Sequence, residues 1–427
     1  MNSPKSVGVV LSLAVLVLAL DAGTKNTTAT EAPTGFSTPT LSTNPGSQSV
    51  SNGFPEAPGD TFALDQSVFE EEDGVDKGLG PLYNARSCAD CHQNPVTGGG
   101  SQVTEFRAGH FDSKGKFANP TITINDGLNN VPNRSLINDR AVCPESAERV
   151  PLTEYIRTLR MSLNLLGDGF VEAIDDSTLQ AIASAQPGQS KGKIAGEFIT
   201  VPVLEAAGQT RGGRFGWKNQ HASLLSFSSD AYINEQGITN RLNLVDTTSV
   251  CKTTTDPEDN PDSIGLADLD HFAAFIRGTL APPVDSTLLA TSDAQAGQAL
   301  FTQIGCSICH VTSITTAATG TLINGGTYAI PDALGNKIIH PYSDFLLHNI
   351  NTGDGIAQNG PSDTAYKMRT APLWGLRTHD RLMHDGLSAS REEAILRHGG
   401  EASNVTKAYL FLSATQKNQL LTFLNAL

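Results

Sequence analysis

Cys88-Ala89-Asp90-Cys91-His92 and Cys306-Ser307-Ile308-Cys309-His310 are two copies of one pattern, Cys-x-x-Cys-His. With 6 cysteines and 10 histidines in 427 residues, even one chance copy is rare. The pattern is the attachment signature of a c-type haem. Two thiols three positions apart can each add to one haem vinyl group, and the histidine after them reaches the iron. A shared zinc site would bring its cysteine pairs within tens of residues, whereas 215 positions separate Cys91 from Cys306. A redox dithiol would not need a histidine after each pair. The motifs therefore predict two covalently attached c-type haems, one in each half of the chain.

The rest of the composition excludes more than it assigns. Lys and Arg number 29 against 44 Asp and Glu, a net charge of −15, with no basic block. Nucleic-acid binding needs clustered positive charge and is not expected. Charged residues make up 17% of the chain, with 40 Gly and 22 Pro. That profile fits a loop-rich protein rather than a coiled coil.

Residues 1–22 read as a signal peptide: a short polar, positive start, an apolar run from Val7 to Leu20, then Asp21-Ala22-Gly23. The run is short for a membrane span. The chain is expected to be periplasmic or otherwise exported, with an uncleaved N-terminal tether as the alternative and no stable span in the mature chain. Residues 23–59 are rich in Thr, Ser and Pro and read as a disordered linker. Residues 60–283 form the first haem domain, and 284–427 form the second. Pro282-Pro283 marks the boundary.

Helical signals dominate both domains. Ile264–Leu280 reads as a helix, and Ser292–Gln303 as a short amphipathic helix running into Cys306. Leu152–Ala183 shows helix-like periodicity interrupted by Gly. Ser390 with Glu393 forms a capping box for a helix ending at Gly399-Gly400, and Ser413 caps Ala414–Ala426. No strand periodicity is strong enough to build a sheet. The expected fold is mainly α, with two cytochrome c-like haem domains and long loops. Cys143 and Cys251 are left over, as a disulfide or as two buried thiols.

Several blocks carry a resemblance to a known family. They are Gly80-Pro-Leu-Tyr-Asn-Ala-Arg-Ser-Cys88, Arg214-Phe-Gly-Trp-Lys218, Gly237-Ile-Thr239, Ala371-Pro-Leu-Trp374, His384-Asp-Gly386 and Glu392-Glu-Ala-Ile-Leu-Arg-His-Gly-Gly-Glu401. From about residue 60 to the C-terminus the chain resembles the di-haem oxidoreductases. These are similar to bacterial di-haem cytochrome c peroxidases and to the di-haem enzyme that matures tryptophan tryptophylquinone.

The resemblance implies an N-terminal haem that meets hydrogen peroxide or another oxidant, and a C-terminal haem that stores or relays an electron. Trp217 matches the tryptophan between the haems. Glu235 matches a distal glutamate, across a two-residue deletion, and Arg369 matches an arginine close to the haems. A glutamine of the peroxidase segment falls on Phe227. The second axial ligand of the C-terminal haem falls on His398, giving bis-histidine ligation with His310; Met383 and Met368 are the alternatives. His110, after the loop Thr97-Gly-Gly-Gly100, is a candidate cap for the N-terminal haem, two residues beyond a gapless match. A calcium ion between the haems is implied by the relatives, with His379 and Arg381 at the aligned positions. His221, His271, His340, His348 and His379 receive no role.

The expected activity is peroxide reduction, with electrons from an exported redox protein. The alternatives are a protein-modifying or thiol oxidase on the same site, and a non-enzymatic di-haem electron carrier.

Overall fold

A computed structural model describes residues 28–36, 44–131 and 133–427. The expected signal peptide lies outside the described residues.

Among the described residues, helices account for 32% and strands for 17%, so the expectation of a mainly α fold is corrected to a mixed one. Most of the strands are two or three residues long, below the length at which alternation can be read. The longest sheet pairs Thr104–Phe111 with Ile156–Met161 in antiparallel register, Leu136–Ile137 also joining the first strand. Ile156–Met161 falls inside the stretch expected to be helical. Its alternation is hidden because an inward position is filled by Arg160, 1% exposed, and across the ladder Arg107 is also buried. A charged residue on the core face reads as a solvent face in a hydropathy pattern.

Three of the expected helices lie where the sequence places them. Asp268–Gly278 falls within the expected Ile264–Leu280, and Ser292–Gln303 and Ala414–Ala426 match residue for residue. Thr291 Oγ1 and Ser413 Oγ cap the last two by accepting from backbone N–H groups.

The two halves repeat one packing plan. Helix Phe62–Glu70 lies on Asp268–Gly278 through Phe69 and Phe275, with ring centres 4.6 Å apart. Helix Ser292–Gln303 lies on Ala414–Ala426 through Phe301 and Phe423 at 5.4 Å. Gly297 makes the second contact possible, because a Cβ there would overlap the Gln419 carbonyl. In each half the phenyl ring then meets the imidazole of the motif: Phe69 is 6.4 Å from His92 and Phe301 is 6.2 Å from His310.

One apolar core spans both sides of Pro283. Phe69, Phe170, Phe272 and Phe275 share it with Ile314, Leu334, Phe345 and Trp374. Described parts of the expected linker pair with the rest of the chain. Thr30–Glu31 runs parallel to Lys337–Ile338, Ser47 bridges Thr279, and Phe54 is 5% exposed in the core.

Cys143 and Cys251 form a disulfide rather than two buried thiols. It closes a loop over a separation of 108 residues. Replacing both cysteines by serine is expected to lower stability by about 2–5 kcal/mol, read as a shifted denaturant midpoint. An unchanged midpoint would show that the loop is held by its packing alone.

Candidate active site

The first motif begins at a short turn capped by Ser87, whose Oγ accepts from the Ala89 N–H. The second begins after Gly305, which takes a left-handed backbone at φ 100°. None of the four motif cysteines takes part in a disulfide. Burial pushes Cys91 and Cys306 up to about 12.

Three histidines share one arrangement. His92 Nδ1 donates to the Leu163 carbonyl at 2.8 Å, His310 Nδ1 to the Tyr342 carbonyl at 2.9 Å, and His398 Nδ1 to the Ala394 carbonyl at 2.6 Å. A carbonyl can only accept, so each ring keeps its proton on Nδ1 and leaves Nε2 as a lone-pair donor. Burial lowers all three, His310 to about 4 with His398 adding to the effect, so the neutral form is held.

The His310 and His398 ring centres are 6.3 Å apart. Two metal–nitrogen bonds of about 2.0 Å, each with about 1.1 Å from nitrogen to ring centre, span about 6.2 Å. The spacing therefore suits one iron between two imidazoles. Both rings line a cavity with ≈ 1750 Å³ of empty space, its open mouth included. Met368 and Met383 line it as well.

The polar groups of that cavity fit a haem too. Its lining includes Arg369, Arg381, Arg391 and His379 and no carboxylate. Arg369 Nε, Arg391 Nε and Asn164 Nδ2 are buried donors without a partner. Such donors cost free energy unless an acceptor meets them, and the propionates of a haem are acceptors of the right charge. Arg369 is further fixed by donating Nη1 to the Arg214 carbonyl at 2.9 Å. A calcium ion fits less well, since it takes six to eight oxygen ligands and the lining offers no carboxylate.

Trp217 joins the two halves. It lines the same cavity, and its Nε1 donates to the Met161 carbonyl at 2.8 Å. His92 is tied to the carbonyl of Leu163, two residues further along that segment. One short stretch of backbone thus holds both the first motif's imidazole and the Trp217 indole.

Glu235 sits in a single widened helical turn, Tyr232–Gln236, a local form that recurs at functional sites. The backbone N–H groups of Asn84 and Ala85 both donate to its carbonyl. Its half-buried side chain accepts from Asn84 Nδ2 at 2.7 Å. Burial, reinforced by Glu105, raises its carboxyl to about 8. Burial also acts upward on Glu105, but Arg107 outweighs it and holds that carboxyl below its usual range. Cys91 of the first motif feels Glu235 more strongly than any other charge.

Sequence reasoning missed Asn84, Glu105 and Arg107. The signal available for the last two was a pair of charges two apart, directly after a Gly-rich loop. His110 is not brought to this group. It lies five residues beyond Glu105 in the same strand, on the opposite face by alternation, and its Nδ1 is 2.7 Å from Glu154. His221, His271 and His340 each face a carboxylate, and His348, which faces Asp344 and Glu401, also lines the cavity with its Nδ1 3.9 Å from Cys309 Sγ. Phe227 stacks on Phe215.

A family model described as "Di-haem oxidoreductase, putative peroxidase" matches residues 152–427, which include the second motif and begin after the first. Comparison with curated proteins returns no match. Among solved structures, hydrazine synthase of Kuenenia stuttgartiensis aligns over 100% of both chains at 12% identity, with a TM-score of 0.39. A MauG-like protein associated with microbial copper homeostasis aligns over 38% of this chain and 56% of its own, at 22% identity and a TM-score of 0.24. Neither superposition is close enough to carry a structural argument. The family match covers well over half the sequence, and the chain belongs to the di-haem oxidoreductase family.

Proposed function

We infer that the chain is an exported di-haem c-type oxidoreductase that reduces hydrogen peroxide at the site of His92, with electrons relayed through the site of His310 and His398. When bound, the haems supply the irons that accept peroxide and store single electrons. The observation that carries the reading is the half-buried Glu235 carboxyl, held by Asn84 Nδ2 at 2.7 Å and standing beside Cys91 of the first motif.

Glu235 takes a proton from one peroxide oxygen and returns it to the other, which leaves as water. A carboxyl suits the task when its pKa lies near the working pH. Trp217, anchored on the segment that holds His92, fits the path between the two sites. Arg369 holds a fixed positive charge for a propionate in the second site. The donor is an exported one-electron redox protein. The disulfide agrees with export, since such bonds persist in oxidising compartments. Among the described residues no helix is long and apolar enough to cross a membrane.

Electron paramagnetic resonance of the resting and half-reduced protein, with and without peroxide, tests the reading. One high-spin haem that reacts with peroxide and one low-spin haem are expected. Two low-spin, peroxide-inert haems in both states would overturn it in favour of an electron carrier.

A further inference from the structure

Asp60, Asp65 and His271 form a cluster outside the haem-binding cavity, and they are 7%, 2% and 1% exposed. Asp60 precedes helix Phe62–Glu70, Asp65 lies in its first turn, and His271 belongs to helix Asp268–Gly278. His271 Nδ1 is 2.8 Å from Asp65 Oδ1 and 3.7 Å from Asp60 Oδ1. One ligand atom from each of the three residues lies within 4.8 Å of the other two. On the other side of the ring, Nε2 is 3.5 Å from Asp262 Oδ2 and is buried without a hydrogen-bond partner.

Charge is out of balance in this cluster. Three carboxylates surround one imidazole, which supplies at most one positive charge. Among the described residues, neither Asp60 nor Asp65 forms an ion pair with Lys or Arg. Buried carboxylates are costly unless a cation meets them. An imidazolium alone leaves the arrangement unfinished. It can hydrogen-bond to Asp65, but Asp60 and Asp262 both stand too far away for a good bond.

A metal ion accounts for the spacing. Two ligands each about 2.0 Å from a tetrahedral zinc stand about 3.3 Å apart, and the separations of 2.8 and 3.7 Å lie on either side of that value. We propose that Asp60, Asp65 and His271 Nδ1 bind one divalent cation of the zinc class, and that Asp262 orients the imidazole through Nε2–H. Imidazole and carboxylate both ligate zinc, whereas calcium and magnesium favour ligands built from oxygen alone. A carboxylate on the outer ring nitrogen is a usual partner of a metal-bound imidazole. The ion joins the two helices whose Phe69 and Phe275 pack behind His92. Its role is structural and stands apart from peroxide reduction.

Zinc titration of the full haem-loaded chain, after treatment with a chelator, tests the site. One zinc per chain is expected, and the unfolding midpoint is expected to rise with the logarithm of free zinc. Asp262→Asn keeps an oxygen that can accept from the Ile264 and Leu266 N–H groups. It is expected to weaken zinc binding by about 10–100-fold, and Asp60→Asn to weaken it further. Equal affinity in wild type and both variants, or no binding to wild type, would overturn the proposal. If Asp60→Asn fails to fold, Asp262→Asn decides between the same two outcomes. In crystals soaked with zinc, diffraction on either side of the zinc absorption edge locates the ion. A peak among His271 Nδ1, Asp60 and Asp65 would support the site, and peaks only elsewhere would overturn it.

Discussion

Glu235→Gln is expected to keep both haems and to slow peroxide reduction by about 10²-fold or more, the usual loss for an acid–base group. That corresponds to about 2.7 kcal/mol on the barrier. The substitution keeps the size of the side chain, and its amide oxygen can still accept from Asn84 Nδ2. What it removes is the ability to take up and return a proton. Stopped-flow mixing with peroxide measures the step, and the haem spectrum reports whether the site is intact. Unchanged turnover in a spectrally intact variant would remove Glu235 from the mechanism.

His398→Ala is expected to abolish the low-spin signal of one haem. The imidazole is half-buried just beyond helix Arg391–Leu396, oriented by the Ala394 carbonyl, and 6.3 Å from the His310 ring. A methyl group in its place reaches nothing. If the low-spin signal persists, the ligand is Met383 or Met368, both of which line the cavity. His398→Met should restore low-spin iron at a higher potential, because a thioether favours the reduced metal.

What the sequence made legible was the chemistry tied to fixed local spacing. Cys-x-x-Cys-His sets the geometry of attachment within five residues, so both motifs could be placed without knowing the fold. His398 and Glu235 could be proposed because each lies at a set offset from a recognisable block. The spacing of the two rings and the Asn84 contact to Glu235 then came from tertiary structure.

Other features escaped for physical reasons. The sheet was invisible because Arg107 and Arg160 point inward, where their charge is needed beside Glu105 and Asp354. The linker composition spoke of chain entropy, yet Thr30–Glu31 and Ser47 gain backbone hydrogen bonds from strands supplied elsewhere in the chain. His110 looked usable because it comes after a Gly-rich loop. Strand alternation decides which way it faces, and that needed the register.

The core that crosses Pro283 bears on how the protein is made. Phe69 and Phe275, which pack behind His92, belong to the same apolar cluster as Phe345 and Trp374. Contacts of such sequence separation form late, because the intervening chain must be closed first. The first haem site cannot finish folding until residues far beyond its own motif have been delivered. On the proposed c-type attachment, Cys88 and Cys91 remain open during that interval to whatever machinery installs the cofactor. A chain that matures this way is exposed to aggregation while it waits, so its yield should depend on how promptly haem is supplied.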